Sequence, residues 1–131
     1  MHNHLSVYFE EIEKSLRNLK SVYIERYEEE ILTLTRMNLR VRIRFEHNEL
    51  LEFNEAVVVD DEDRLTHLGY RYHFQDKKNQ TIFRYDNTPH HPDIESFPHH
   101  KHTENTIVSV YKKPSIPEVI EEALKFLYNL S

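Results

Sequence analysis

The sequence predicts an α+β protein, in which an antiparallel sheet of four to five strands carries an N-terminal and a C-terminal helix on one face. Two observations support this fold class. Apolar residues recur at helical spacing near both ends of the chain, whereas the middle alternates apolar and polar residues as half-buried strands do. The length of 131 residues, with 38% hydrophobic content, suits one compact domain, so we assign residues 1–131 to a single domain.

The first predicted element is an amphipathic helix over about 4–19. Charged residues separate apolar residues that recur at helical spacing, namely Leu5, Phe9, Ile12, Leu16 and Leu19. The spacing in the next stretch, SVYIERYEEEILTLT (21–35), also suits a helix. Its β-branched and aromatic residues favour a strand, which is the assignment we adopt.

The middle of the chain predicts strands joined by short polar turns. LRVRIRF (39–45) alternates apolar residues with arginines, and the following His47 and Asn48 are typical of a hairpin turn into ELLEFNEAVVV (49–59). The acidic residues DDED end that strand. Gly69 is the single glycine, and its position inside a predicted strand indicates a bulge or a close backbone approach.

The last predicted hairpin pairs HLGYRYHFQD (67–76) with TIFRYDN (81–87) through the turn DKKNQ. A turn centred on Lys78 and Asn79 pairs Phe74 with Phe83 and Tyr72 with Tyr85, which puts an aromatic wall on one face together with Tyr70. The other face is then a polar plate formed by Arg71, His73, Arg84 and Asp86. After this hairpin, Ser115 and Pro117 start a second amphipathic helix, EVIEEALKFLYNL.

Composition excludes several classes of protein. The chain has no cysteine, so disulfides, thiolate nucleophiles and cysteine-ligated zinc are excluded. No apolar run approaches the roughly 18–20 residues that span a bilayer, and the N-terminus lacks a basic start followed by an apolar stretch. We therefore expect a cytoplasmic protein without a membrane partner.

The charge is unevenly distributed along the chain. The net charge of −6 argues against a surface that binds nucleic acid as a whole. Residues 64–102, however, carry six basic residues against four acidic ones, together with seven of the ten histidines. Because imidazole titrates near neutral pH, we expect any anion site to lie in this segment.

Five histidines fall in FRYDNTPHHPDIESFPHHKH (83–102), a segment too rich in proline to be a helix or a central strand. We expect this loop to fold back over the polar plate and to complete a composite site. Two chemistries suit such a site. His99, His100 and His102, with His90 or His91, form a possible set of ligands for zinc, nickel or copper, although adjacent histidines point apart. The alternative is metal-free phosphoryl chemistry on RNA, with histidines moving protons and arginines stabilising charge on the phosphate.

The ordered stretches YRYHFQD, IFRYDNTPHHP and FPHHKH resemble the signature of the TumE family, toxins of type II toxin-antitoxin modules. The similarity covers about residues 20–130, and the N-terminal helix, residues 1–19, is the least family-like part. The resemblance implies a growth-inhibiting toxin with RNA cleavage as its suspected activity. It also implies a helix-turn-helix antitoxin, encoded by an adjacent gene, as partner. The family's motif corresponds to Arg71, His73, Asp76, Arg84, Asp86, Asn87, His90, His91, Pro92, Pro98, His99, His100 and His102.

We accordingly predict a metal-independent endoribonuclease that needs no cofactor. His73 is the candidate acid–base group, since the strand fixes its direction and Arg84 lowers its pKa. Arg71 and Arg84 would hold the phosphate, with Asp86 orienting Arg71. The second proton-transfer group would be one of the loop histidines, His90, His91, His99, His100 or His102. Two other hypotheses remain, namely that the protein is a metal-binding module or a non-catalytic interaction protein.

Overall fold

The computed structural model describes residues 2–87, 99–104 and 106–130, and it confirms the α+β class. Two helices pack on one face of a single sheet. Their bounds, with those of the strands, are α1 Asn3–Arg17, β1 Val22–Thr33, β2 Arg36–Phe45, β3 Leu50–Val59, β4 Leu65–Gln75, β5 Thr81–Asp86, β6 His100–Thr103, β7 Ile107–Ser109 and α2 Ile116–Leu130.

The seven described strands form one antiparallel sheet in the order β1-β2-β3-β4-β5-β6-β7. The predicted four to five strands were too few. Residues 100–103 form a strand that lies between β5 and β7, whereas the sequence analysis assigned them to a loop. The prolines that suggested a loop all precede His99, so they do not interrupt the ladder of β6.

Both helices pack on the same face of the sheet, as predicted. The apolar face of α1 buries Leu5, Phe9, Ile12 and Leu16, and α2 buries Ile116, Val119, Ile120 and Ala123. The strands supply the other half of the core through their alternate residues, including the predicted aromatic wall of Tyr70, Tyr72, Phe74, Phe83 and Tyr85. The opposite face carries the polar rows, and we call it the open face because neither of the described helices covers it.

Local sequence explains the ends of the elements. Asn48 and Asn79 adopt positive φ angles of 74° and 64° in the predicted hairpin turns, a conformation that asparagine tolerates well. Ser115 and Glu118 form a capping box at the start of α2: Glu118 N donates to Ser115 Oγ (3.2 Å), and Ser115 N donates to Glu118 Oε1 (3.0 Å). None of the described helices is long and apolar enough to span a membrane.

The β4–β5 hairpin has the predicted register. Phe74 pairs with Phe83, Tyr72 with Tyr85, His73 with Arg84 and Arg71 with Asp86. Gly69 lies beside an irregularity in the β3–β4 ladder, where the pairing shifts between Ala56 and Val57, so the predicted bulge is confirmed. The polar plate therefore lies on the open face, as expected.

Candidate functional site

Two rows of polar residues cross the open face of the sheet. Side chains that are paired across neighbouring strands lie on the same face, so the ladders define each row. The first row contains Arg40, Asn54, Arg71, Asp86 and His100, and the second contains Arg42, Glu52, His73, Arg84 and His102. The rows bring six of the nine predicted site residues together at β4, β5 and β6.

Asp86 is the centre of this cluster. Its carboxylate lies 2.5 Å from His100 Nε2 and 3.6 Å from His102 Nε2, and it accepts a hydrogen bond from Arg84 Nε at 3.0 Å. Asp86 and His100 are only 3% and 2% exposed. The hydrogen bond from Arg84 is charge-assisted and directional, so Asp86 fixes the orientation of Arg84, while the His100 ring lies in close contact with the same carboxylate.

The predicted contact between Asp86 and Arg71 does not form. Arg71 lies opposite Asp86 in the ladder, yet among the described residues Arg71 has no hydrogen bond or ion pair. Arg84 takes this position instead, because residues two apart on β5 project from the same face. Asp86 therefore orients Arg84, and Arg71 stays exposed on the surface.

His73 lies in the second row, between Glu52 and Arg84. Its Nε2 atom is 2.8 Å from Thr81 Oγ1. Burial lowers the pKa of His73 below its ordinary value, and the cations of Arg71 and Arg84 lower it further, while Glu52 opposes them. The predicted direction is confirmed, but burial contributes more than Arg84. His73 is thus biased toward the neutral form that accepts a proton.

His99 points away from the cluster. Its Nδ1 atom lies 3.0 Å from the hydroxyl of Tyr70, a residue of the helix-covered face, and the two rings stack with centroids 5.8 Å apart. Burial, followed by the charges of Lys113 and His100, lowers the pKa of His99. The side chains of adjacent His99 and His100 therefore lie on opposite faces of the sheet. His90 and His91 lie outside the described residues.

The possible metal ligands that the structure brings together differ from the predicted set. Asp86, His100 and His102 each offer one atom, and within the described part of the chain these atoms lie within 4.8 Å of one another. The donors suit zinc or another imidazole-binding metal. However, Arg84 Nε donates to the same Asp86 carboxylate, and this cation competes with a metal ion for it. His2, His4 and Asp63 form a second possible group, near the start of α1.

Two residues of the family-like motif have structural contacts. Asp76 Oδ1 accepts hydrogen bonds from the backbone N–H groups of Lys78 (2.8 Å) and Gln80 (3.0 Å), which closes the β4–β5 turn. Asn87 Oδ1 accepts one from Tyr70 N at 3.0 Å. Both residues hold the hairpin that carries the polar plate.

Sequence analysis missed a buried polar network under the helices. Glu55 has a fully buried side chain and accepts hydrogen bonds from the hydroxyls of Tyr8 (2.6 Å) and Tyr72, while His67 Nε2 lies 3.2 Å away. Burial acts to raise the pKa of Glu55, but the contacts with His67, Tyr72 and Tyr8 outweigh it and hold the pKa below its usual value. A signal was present, since Glu55 interrupts an otherwise apolar alternation.

Lys113 closes this network from the segment before α2. Its Nζ atom donates to the Tyr72 hydroxyl at 3.0 Å and lies 3.9 Å from Glu55 Oε2. Burial lowers the pKa of Lys113, although Glu55 and Glu118 act in the opposite direction. The network thus ties α1, the sheet and the α2 approach together, on the side of the sheet opposite Asp86.

The fold and the cluster together define an α+β protein whose antiparallel sheet groups histidines, arginines and one buried aspartate on the face opposite the helices. The family model described as "Toxin TumE" matches residues 12–130, nearly the whole chain. The chain therefore belongs to the TumE toxin family, as its motifs indicated. No significant match to a curated protein or to a solved structure was found.

Proposed function

We propose that the protein is a toxin that cleaves RNA without a metal ion. The supporting observation is the grouping of His73, Arg84, Asp86, His100 and His102 on one open face of the sheet. Histidines and arginines are the groups that metal-free cleavage requires, and Arg71 beside the cluster is exposed to solvent.

The geometry suggests separate roles for the histidines. His73, kept neutral by burial and by Arg71 and Arg84, removes the proton of a ribose 2′-hydroxyl. The 2′-oxygen then attacks the adjacent phosphorus, and the bond from phosphorus to the 5′-oxygen breaks. His102 returns a proton to the departing 5′-oxygen, since its side chain is 17% exposed whereas that of His100 is 2% exposed. The products are a 2′,3′-cyclic phosphate and a 5′-hydroxyl.

The arginines and Asp86 complete the proposed site. Arg71 and Arg84 stabilise negative charge on the phosphate in the transition state. Asp86 holds Arg84 in place and orients His100, which lies beside His102 with ring centroids 4.8 Å apart. In this scheme Asp86 and His100 are positioning residues.

The test is expression without the neighbouring gene, followed by measurement of growth and transcript integrity. We expect His73→Ala to abolish toxicity and RNA cleavage while leaving the thermal midpoint nearly unchanged. Arg84→Lys keeps a cation beside buried Asp86, so it should preserve folding but lower cleavage strongly. His47→Ala, in an exposed turn, is the matched control and should behave as the wild type. Full activity of both His73→Ala and Arg84→Lys would show that the polar plate takes no part in the mechanism.

The second candidate function is metal binding at Asp86, His100 and His102, which their proximity favours. A metal protein would co-purify with stoichiometric metal. The proposed ribonuclease should instead keep its activity in chelator. If chelator removed the activity and only added metal restored it, the histidines would act as metal ligands rather than as proton-transfer groups.

We also propose that a basic helix-turn-helix antitoxin, the product of an adjacent gene, neutralises the toxin. Strand β1 supports the proposed complex of toxin and antitoxin. It is a twelve-residue strand at the edge of the sheet, and it carries four glutamates, Glu25, Glu28, Glu29 and Glu30. An edge strand offers unpaired backbone groups to a partner, and complementary charge speeds association.

A further inference from the structure

A groove of about 320 Å³ lies on the open face beside the proposed active site. Its volume is within the range of small-ligand sites, roughly 300–1,000 Å³. Arg40, Asn54 and Arg71, from the first polar row, form one side of it. Ala56 and Gly69, which pair with each other, lie in the same groove and leave room above the sheet.

The groove contains two arginines that have no carboxylate partner. Within the described part of the chain, neither Arg40 nor Arg71 forms a hydrogen bond or an ion pair, and both are exposed. Their neighbours on the same face differ: Arg42 lies within 3.6 Å of Glu25 and Glu52, and Arg44 bonds Glu25. The groove therefore contains two arginines that form no ion pair with a carboxylate among the described residues.

The acidic residue opposite Arg40 is hydrogen-bonded to a different arginine, although its charge also acts on Arg40. Glu28 lies opposite Arg40 in the β1–β2 ladder, but its two carboxylate oxygens accept hydrogen bonds from Arg26 at 2.7 and 3.0 Å. Asn87, at the other wall, is held by Tyr70 N through its Oδ1 atom. The groove thus combines two guanidinium groups with the side-chain amides of Asn54 and Asn87, which suit phosphate oxygens, whereas the amide of Asn38 donates to Glu30 Oε1 at 3.1 Å.

The groove also leads to the proposed reaction centre. Arg40, Asn54, Arg71 and Asp86 occupy successive strands of one row, and neighbouring strands lie about 4.8 Å apart. The two arginines are therefore roughly 10 Å apart, and Arg71 is next to Asp86. A flexible polymer with regularly spaced phosphates fits this line of charges better than a single small anion.

We propose that this groove binds the sugar–phosphate backbone of single-stranded RNA next to the cleaved bond, with Arg40 as a positioning residue. The inference rests on the proposed ribonuclease function and extends it by naming the substrate class and its path across the sheet.

The test measures binding of a non-cleavable single-stranded RNA, with 2′-deoxy substitution at every position of cleavage, as a function of salt. Each phosphate contact with a single strand contributes about 0.7 to the slope of log K against log salt. We expect Arg40→Gln to lower that slope by about 0.7 and to weaken binding at low salt. Arg36→Gln, an exposed arginine of the same strand outside the groove, is the matched control and should match the wild type.

A second variant blocks the groove sterically. A Cβ atom at Gly69 would meet nothing closer than Asn87 Oδ1 at 3.9 Å, and Gly69 has no positive φ angle. Gly69→Val should therefore fold, with an unchanged or raised thermal midpoint, because β-branched residues suit strands. It should nevertheless weaken RNA binding at least tenfold.

The two proposals can fail separately. Suppose that the wild type cleaves RNA, but that Arg40→Gln and folded Gly69→Val bind the probe as well as Arg36→Gln does. The proposal that the groove binds RNA would then be wrong, whereas the proposed ribonuclease activity would stand. If the groove variants lose binding while the wild type leaves transcripts intact, RNA binding stands and cleavage is overturned. Equal binding of duplex RNA, with the same loss in Arg40→Gln, would overturn the assignment to single strands. In a cleavage assay, Arg40→Gln should raise KM for long RNA and leave kcat unchanged, as expected of a positioning residue.

Discussion

At the scale of single residues, the site depends on how burial and charge are divided among the histidines. His73 is half-buried between Glu52 and Arg84, His100 is buried against Asp86, and the side chain of His102 is partly exposed. Chemically identical side chains therefore have different environments, which suits the separate tasks of accepting and donating a proton.

The lowered pKa of His73 makes a specific prediction about stability. Below pH 6.5 the unfolded chain protonates this residue, whereas the folded protein keeps it neutral until the pH falls through the lower, folded-state pKa. The unfolded state then binds more protons, so the free energy of unfolding decreases as the pH falls. We expect His73→Gln to reduce this decrease between pH 7 and pH 5, as measured by urea denaturation.

His47→Gln controls for the loss of a histidine, since His47 is exposed in the β2–β3 turn. This variant should follow the wild-type dependence on pH. Equal losses of stability in the wild type and in His73→Gln would show that burial does not depress the pKa of His73.

The residue scale also shows which contacts sequence reasoning can predict. Alternation and turn chemistry were sufficient to place Arg71, His73, Arg84 and Asp86 on one face, because the register of a hairpin follows from its turn. The choice of Arg84 rather than Arg71 as the partner of Asp86 depends on side-chain direction, which spacing alone does not specify. Glu55 was missed because its partners, Tyr8 and Lys113, are distant in the sequence.

At the scale of secondary structure elements, the long strands were predictable and the short ones were not. β2 to β5 have clear alternation and recognisable turns, and β1 was assigned correctly from its β-branched and aromatic residues. β6 has only four residues and β7 three, and both take their conformation from pairing with neighbouring strands. His100 and His102 reach the site because β6 pairs with β5, a contact that the local sequence does not encode.

The helix α1 is attached to the sheet by a polar contact as well as by its apolar face. Tyr8, which precedes the segment that matches the family, donates to Glu55 at 2.6 Å and lies 2.9 Å from His67 Nε2. We expect Tyr8→Phe to destabilise the protein by about 1–3 kcal/mol, because a hydrogen bond to a buried charge is lost. The measurement is urea denaturation at pH 7.

Tyr23→Phe is the control for this variant, because Tyr23 is 69% exposed on β1. Its stability should equal that of the wild type. If Tyr8→Phe were as stable as the wild type, the apolar face of α1 alone would hold the helix on the sheet.

At the scale of the whole molecule, the two faces of the sheet differ in chemistry, and its β1 edge is acidic. The helices cover one face and form the core there, and the polar rows lie on the other face, where we propose that RNA binds. The acidic edge β1 lies four strands from β5, which corresponds to roughly 19 Å. The groove with Arg40 lies between them, so a partner bound along β1 is adjacent to the proposed path of the RNA.

This arrangement predicts that the antitoxin and RNA compete. We expect the protein to co-purify with the product of the adjacent gene, and the complex to exclude the single-stranded RNA probe. Because the expected partner is basic, association should slow as salt increases. Glu28→Lys combined with Glu30→Lys should lower the association rate at low salt by about tenfold.

The control for this pair is Glu104→Lys combined with Glu121→Lys, which changes the net charge equally but at exposed positions in the β6–β7 turn and on α2. Its association rate should fall much less, because those charges lie away from β1. If the two co-expressed proteins eluted separately at both low and moderate salt, the proposed complex of toxin and antitoxin would be contradicted. A complex that still binds the RNA probe with unchanged affinity would instead show that the antitoxin docks away from the open face, and the role of β1 would be limited to attracting its partner.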